Sequence, residues 1–308
     1  MAKEFKTFDE LVELMESRGI ETDENTIPVL KRESYYAVVN GYKDPFLDRE
    51  AMKSSADDVY LPGTTFKRIY DLFMFDRHLR QSVFQCLTSA EAVMKNAVVY
   101  AFCDKNRDPD AYFERSNYCT ASDMLVPKTY RGNRAEEFST NMANLMRILN
   151  GKITNKKKMR PFVKHYLGTY GKVPLWVLQN DLTFGNIAHF YQLQKRGVQN
   201  AACKIVGEVA GRGERISPHE LLRAFDVLVG FRNICAHDER FYCAEVKGAR
   251  FAEMFNMLSL VLPEYETASM ISTLNSLFQA YKGRIDQGVI VQLIVAMGVE
   301  IITSKGSS

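Results

Sequence analysis

Apolar residues recur at helical spacing through most of this chain. From Thr64 to about Cys103, Leu72, Phe75, Leu79, Val83, Leu87 and Ala90 share one stripe with few breakers between them, which predicts a long central helix. Thr7 and Glu10 have capping-box spacing and Leu11, Leu14 and Met15 follow on one face, so a short amphipathic helix opens the chain. The segment LKRESYYAVVNGY, from Leu30, reads as a second helix, and Lys43 to Gly63, with Asp44, Pro45, Pro62 and Gly63, as turn chemistry. Asp104 to Gly132 is again loop-rich and tolerant of insertions. Helical spacing then resumes through Phe138, Met142, Leu145 and Leu149, and later through Phe251, Phe255, Leu258 and Val261 up to Pro263. Helices through Leu274, Leu277 and Tyr281 follow. The apolar run after Gly288 is rich in Val and Ile, which fits a strand too, and helix is preferred. The pattern predicts an all-α chain: an N-terminal helical extension (1–60), a main helical domain (61–285) and a C-terminal segment with a flexible tail (286–308).

The most informative helix runs from Ser217 to Arg240 and ends in a polar cluster. Ser217 caps, Pro218 suits the first turn and Glu220 sits where a capping-box carboxylate reaches back. Leu221, Phe225 and Leu228 make its buried stripe, with Leu222 and Val229 widening it, and the next residue on that stripe is Arg232. A guanidinium there needs a partner or a wet cleft, because an unpaired buried charge is strongly unfavourable. Asn233, His237, Asp238 and Glu239 gather donors, acceptors and an imidazole at one helix end. Basic residues in a last turn also oppose the helix dipole and cap free carbonyls, and spacing alone favours that plainer reading. The same spacing occurs at Arg160 and His165, without the asparagine and without a long apolar stripe before it.

Composition is that of a globular protein, with 46% hydrophobic and 25% charged residues in 308. A net charge of +3 is too mild for a nucleic-acid coat, so any RNA site must be local. The most basic run is GKITNKKKMR, where Lys152, Lys156, Lys157, Lys158 and Arg160 meet no acid. These are candidate phosphate contacts, weighed equally against a solvated loop. Six scattered cysteines without a C-x-x-C pair and the lack of a secretory leader point to reduced thiols in a cytoplasmic chain. Cys235, His237 and Cys243 lack the paired spacing of structural zinc sites, so no metal is expected, and no membrane span is seen. Tyr35, Tyr36 and Tyr42 can stack on bases, although half-buried packing is the preferred reading. Asp76 and Arg80 read as a helix-surface ion pair, and His78 is left out of the site. His165 and Trp176, the single tryptophan, read as packing. Arg212, between Gly211 and Gly213, sits in a flexible link rather than a phosphate loop.

Four stretches together resemble a known family. RNICAHDERFYC is similar to the R-N-x3-H signature of HEPN domains, all-helical modules, in the form found in Abi-like abortive-infection proteins of the AbiD/AbiF type. YYAVVNGYKDPF resembles that family's Y-Y-x4-G-Y segment, LFMFDRHLRQSVFQC its F-D-R-x-L-R helix, and VPLWVLQNDLTFGNIAHFYQL its P-x-W followed by T-F-G. The blocks keep the family's order from about Leu30 to Cys243. One departure stands out: Glu91 is followed by Lys95 where an arginine is expected, which removes bidentate guanidinium geometry there.

The resemblance implies a HEPN-like helical bundle and metal-independent RNA cleavage in anti-phage defence, without a cofactor. His237 would be general base or general acid, Arg232 would bind the phosphate and Asn233 would orient the phosphate or the imidazole. A free imidazole, with a pKa of about 6.5, suits either role. One histidine does not easily serve as both base and acid, so the resemblance also implies a homodimer that brings two motifs together. A small RNA acting as antitoxin or activator is a further implied partner. The alternative is a catalytically silent scaffold of the same fold that binds RNA or a protein.

Overall fold

The computed structural model describes residues 4–299 apart from Ala56, Arg212 and Glu214. The link at Arg212 and the tail from Glu300 therefore lie outside the described residues. The chain is all-α. In order, the helices are α1 (Phe8–Ser17), α2 (Thr26–Glu33), α3 (Phe66–Lys105), α4 (Arg134–Thr154), α5 (Pro161–Tyr170) and α6 (Leu175–Leu178). They continue with α7 (Phe184–Gln192), α8 (Arg196–Val209), α9 (Pro218–Ala236), α10 (Phe251–Val261), α11 (Glu264–Tyr281) and α12 (Gln287–Ala296). Among the described residues β-pairing is confined to isolated bridges, and no helix is long and apolar enough to cross a membrane.

The chain divides into two compact units, and the divisions fall within α3, α9 and α11 and between Ala244 and Glu245. The first unit takes in the described parts of Met1–Val83, Ile234–Ala244 and Ile271–Ser308. Its α1 begins as expected, with Thr7 Oγ1 accepting the Glu10 amide at 3.3 Å and the Glu10 carboxylate accepting the Thr7 amide at 2.6 Å. The helix expected through LKRESYYAVVNGY is instead two pieces. Ser34, at φ 64°, leaves helical space after α2, and a single π-turn follows over Tyr36–Asn40. A side chain at positive φ cannot continue a right-handed helix. Leu72, Phe75, Leu79 and Val83 of α3 are all buried, with the Phe75 ring edge-on to Phe278 at 5.1 Å and to Tyr281 at 5.5 Å. The Val/Ile-rich run is helical, burying Val289 and Leu293.

The second unit comprises Phe84–Asn233 and Glu245–Met270. Its share of α3 buries Leu87, Ala90 and Phe102, and α4 buries all four of its expected apolar positions. Phe190 meets both Phe102 and Tyr118 edge to face, and Tyr191 and Phe184 pack on Phe225 of α9. The segment between α3 and α4 is not a free surface loop. Tyr112, Tyr118 and Met124 to Val126 are buried, the Tyr112 hydroxyl donates to the Val173 carbonyl at 2.9 Å, and the Cys119 amide donates to Leu193 at 3.0 Å. An insertion at those buried positions would have to disrupt packed side chains, whereas Pro127 to Thr129 and Arg131 to Asn133 are exposed, so the expected tolerance is confined to such stretches. Trp176 also differs from its packing reading, since 48% of it is exposed.

Candidate functional site

The start of α9 follows from its first four residues. Ser217 Oγ accepts the Glu220 amide at 3.3 Å while the Glu220 carboxylate accepts the Ser217 amide at 2.7 Å, a reciprocal capping box. Leu221, Phe225 and Leu228 are wholly buried, and the stripe they define carries Arg232 inward. Gly230 keeps this part of the helix bare, because a Cβ there would come within 2.3 Å of Val246 Cγ1. Arg232 is about a third exposed and its Nε donates to Glu91 Oε2 at 2.9 Å. Lys95 lies 3.6 Å from the other Glu91 oxygen and donates to the Leu182 carbonyl at 2.6 Å. Burial is the largest influence on Lys95 and lowers its pKa, with Glu91 opposing and Arg232 reinforcing. Glu91 thus answers the need for a partner that the stripe imposed. Among the described residues only Nε of Arg232 is engaged, which leaves the terminal nitrogens of the fork for an anion.

The helix ends at Ala236, short of the expected Arg240, and its ending is specific. Asp238 takes φ 57°, and the Glu239 amide reaches back to the Ile234 carbonyl at 3.1 Å, the six-to-one bond of a Schellman ending with His237 at the cap. Asp is one of the few side chains that tolerates left-handed space.

The residues around His237 are clamped. Asp238 pairs with Arg80 and, at 3.2 Å, with Arg77, which itself grips Glu33 at 2.8 and 2.9 Å. Arg80 also donates to the Glu239 carbonyl at 2.9 Å and to Asp76 at 2.8 Å. Asp76 is fully buried and accepts three further donors, the Tyr42 hydroxyl at 2.7 Å and the amides of Phe241 at 2.9 Å and Tyr242 at 2.7 Å. Burial pushes the Asp76 carboxyl up, and the four donors oppose that, since a neutral carboxyl would have to give up part of this set. Asp76 and Arg80 are therefore not the surface pair that their spacing predicts. They are a buried polar core, and the tyrosine at position 42 belongs to it. Arg240 extends the clamp to the Gly41 carbonyl at 2.7 Å and to Asp44 at 2.9 Å. His237 itself is exposed and, among the described residues, makes no hydrogen bond or ion pair; Asn233 is equally exposed and free.

Burial pushes Cys235 up to about 12 and raises Cys243 as well. His78 is occupied by the Tyr281 hydroxyl at 2.9 Å, and His165 is exposed on α5 beside Tyr166 and Tyr170. The basic run is split in two. Lys152 and Arg160 both reach Asp181 at 3.2 Å, so an acid distant in sequence neutralises them, while Lys156, Lys157 and Lys158 form an exposed turn. The contacts of this run lead to Asp181 and not to Arg232.

Comparison with known families matches residues 28–243 to the profile of the Abi-like proteins, more than two thirds of the chain. The chain belongs to the Abi-like protein family. No curated protein and no solved structure matches it. The matched span holds every part of the Abi-like chain's clamp and of the Arg232 cluster, and α10 to α12 lie beyond it. Glu91 and Lys95 are the neighbours of Arg232 that the sequence pattern marked only as a departure from the family. The signal for their role was the inward-facing charge of Arg232, which demanded an acid on a neighbouring helix.

Proposed function

We propose that this Abi-like protein is a metal-independent endoribonuclease of the HEPN type that acts in abortive-infection defence against phage. The observation that carries the reading is the contrast at the end of α9: Asp238 and the Glu239 backbone are held by Arg77 and Arg80, while the His237 imidazole is exposed and, among the described residues, uncommitted. A helix cap alone does not require such a frame. In the reaction, one imidazole takes the proton of a ribose 2′-hydroxyl as its oxygen bonds to phosphorus. The bond from phosphorus to the 5′-oxygen breaks, and that oxygen takes a proton from a second imidazole. The products are a 2′,3′-cyclic phosphate and a 5′-hydroxyl. Arg232 binds the non-bridging oxygens with its free terminal nitrogens and stabilises their charge, and Asn233 orients the phosphate.

Two imidazoles per site require a second copy of the chain, so the active species is a homodimer. Restraint by a small RNA is part of the same proposal. The second reading, a silent scaffold, draws on the Glu91 contact, which already gives Arg232 a structural role. The deciding experiment compares wild type and His237→Ala on total cellular RNA with a chelator present. Cleavage leaving cyclic phosphate ends, lost in a variant that still folds and dimerises, supports the nuclease. Absence of cleavage by both proteins, including on RNA from phage-infected cells, overturns it in favour of the scaffold.

A further inference from the structure

The chain's one tryptophan is exposed for a structural reason. Helix α6 has only four residues, Leu175–Leu178, and Leu175, Val177 and Leu178 are all buried, so Trp176 is the side chain that the core leaves out. Tyr100 of α3 is in the same position: Val98, Val99, Ala101 and Phe102 around it are buried, while 60% of Tyr100 is exposed. Both rings border one cavity of about 300 Å³ within the second unit. Asn96 and Asp104, about one turn of α3 before and after Tyr100, border it too, together with Gln179 and Arg107. Among the described residues neither ring stacks on another aromatic, and the Tyr100 hydroxyl, the indole N–H and the Asn96 amide make no hydrogen bond.

The chemistry of this wall selects an occupant. Its charges cancel, because Arg107 donates to Asp104 and no other charged side chain borders the cavity. A phosphate gains little there, whereas a flat neutral ring with a polar edge gains twice. Tyr100 and Trp176 offer aromatic faces, on which every base stacks. Asn96 offers a side-chain amide, an acceptor beside donors, which matches the adjacent donor and acceptor on the edge of adenine. Gln179 adds an acceptor oxygen, since its amide nitrogen already donates to the Trp176 carbonyl at 3.2 Å. The volume lies at the lower end of the ~300–1,000 Å³ range of ligand pockets, which suits one ring system better than an extended peptide. We propose that this cavity binds a nucleobase, adenine best, with Tyr100 and Trp176 as the stacking rings and Asn96 reading the base edge. A single RNA strand and a free nucleoside present the same ring and are the two sources. The site does not rest on the ribonuclease reading, since neither Arg232 nor His237 borders the cavity.

Because Trp176 is the only tryptophan, its fluorescence reports directly on this cavity. The test titrates the full chain with adenosine, uridine and a short 2′-O-methyl oligoadenylate, which 2′-hydroxyl attack cannot cut, so that binding is read apart from cleavage. Adenosine should quench the emission and bind more tightly than uridine. Tyr100→Ala should weaken binding by ~10-fold and Tyr100→Phe should restore it, since the ring and not the hydroxyl stacks. Asn96→Ala should shrink the preference for adenosine over uridine by ~5-fold or more. Both positions are exposed, so the variants keep their fold, which circular dichroism checks. His237→Ala should bind as wild type does, which keeps this readout separate from any failure of the nuclease reading. Oligoadenylate bound at least ~10-fold more tightly than adenosine identifies the strand as the source, and a smaller difference identifies the free nucleoside. Absence of quenching by all three ligands overturns the proposal, as does unchanged affinity in Tyr100→Ala, an unchanged base preference in Asn96→Ala, or quenching by a proline-rich peptide alone.

Discussion

Replacing Asp76 by alanine tests how the end of α9 is held. The substitution strands the Phe241 and Tyr242 amides and the Tyr42 hydroxyl and takes one anchor from Arg80, all at a fully buried position. A buried polar group left without a partner costs about 1–3 kcal/mol, so the three groups alone amount to roughly 3–9 kcal/mol before water enters the space. A net loss of about 4 kcal/mol is the expectation, a large share of the ~5–15 kcal/mol that holds a typical domain. An exposed pair at the same spacing would be worth only about 0.3–0.5 kcal/mol, so the two accounts differ roughly tenfold. Asp76→Asn keeps one acceptor oxygen but turns an NH2 group toward the remaining donors, and should fall in between. The measurement is urea unfolding at neutral pH together with hydrogen exchange at Phe241 and Tyr242, whose amides should lose protection in the alanine variant before α12 does. A loss under ~1 kcal/mol with both amides still protected would refute the buried-core account.

Gly230→Ala drives a Cβ into Val246, whose branched side chain has little freedom to move, and should destabilise by about 1–3 kcal/mol in thermal unfolding despite alanine's better helix propensity. Glu91→Ala leaves Arg232 and Lys95 as neighbouring cations without their acid, and on the proposed ribonuclease reading the misplaced guanidinium should lower RNA cleavage by as much as ~100-fold, with His237→Ala expected to abolish it. The Arg77 hydrogen bonds hold the Glu33 carboxyl below its ordinary value of 4.5, so the stability this pair adds is complete above that pH and is lost as pH falls through the lower, folded value. The stability gap between wild type and Arg77→Ala should accordingly be widest near neutral pH and narrow in acid, as read by unfolding across a pH series.

Most of the helices could be read from periodicity because burial imposes it: the α3 stripe, the α4 positions and the Ser217 capping box all appear where apolar spacing and cap chemistry put them. Ser34 broke a run that composition left intact, because a positive φ depends on what the backbone must reach and not on the serine itself. The ion pairs were the least legible. Asp76 and Arg80 have the spacing of a surface pair, and only the approach of Tyr42 and of the turn after His237 buries them. The Asp181 contacts of Lys152 and Arg160 likewise join charges far apart in sequence, and local pattern carries no trace of them.

Asp238 satisfies two unrelated demands at once, a backbone in left-handed space and a carboxylate shared between Arg77 and Arg80. Glycine and asparagine answer the first and glutamate the second; among the common side chains only aspartate answers both. On the proposed ribonuclease reading, a saturation screen of this Abi-like protein for loss of activity would thus score position 238 as intolerant as position 237, although that reading gives the aspartate no proton to transfer. Intolerance of that kind would report the mechanical seating of the histidine, and separating it from chemistry takes a fold measurement on every inactive clone.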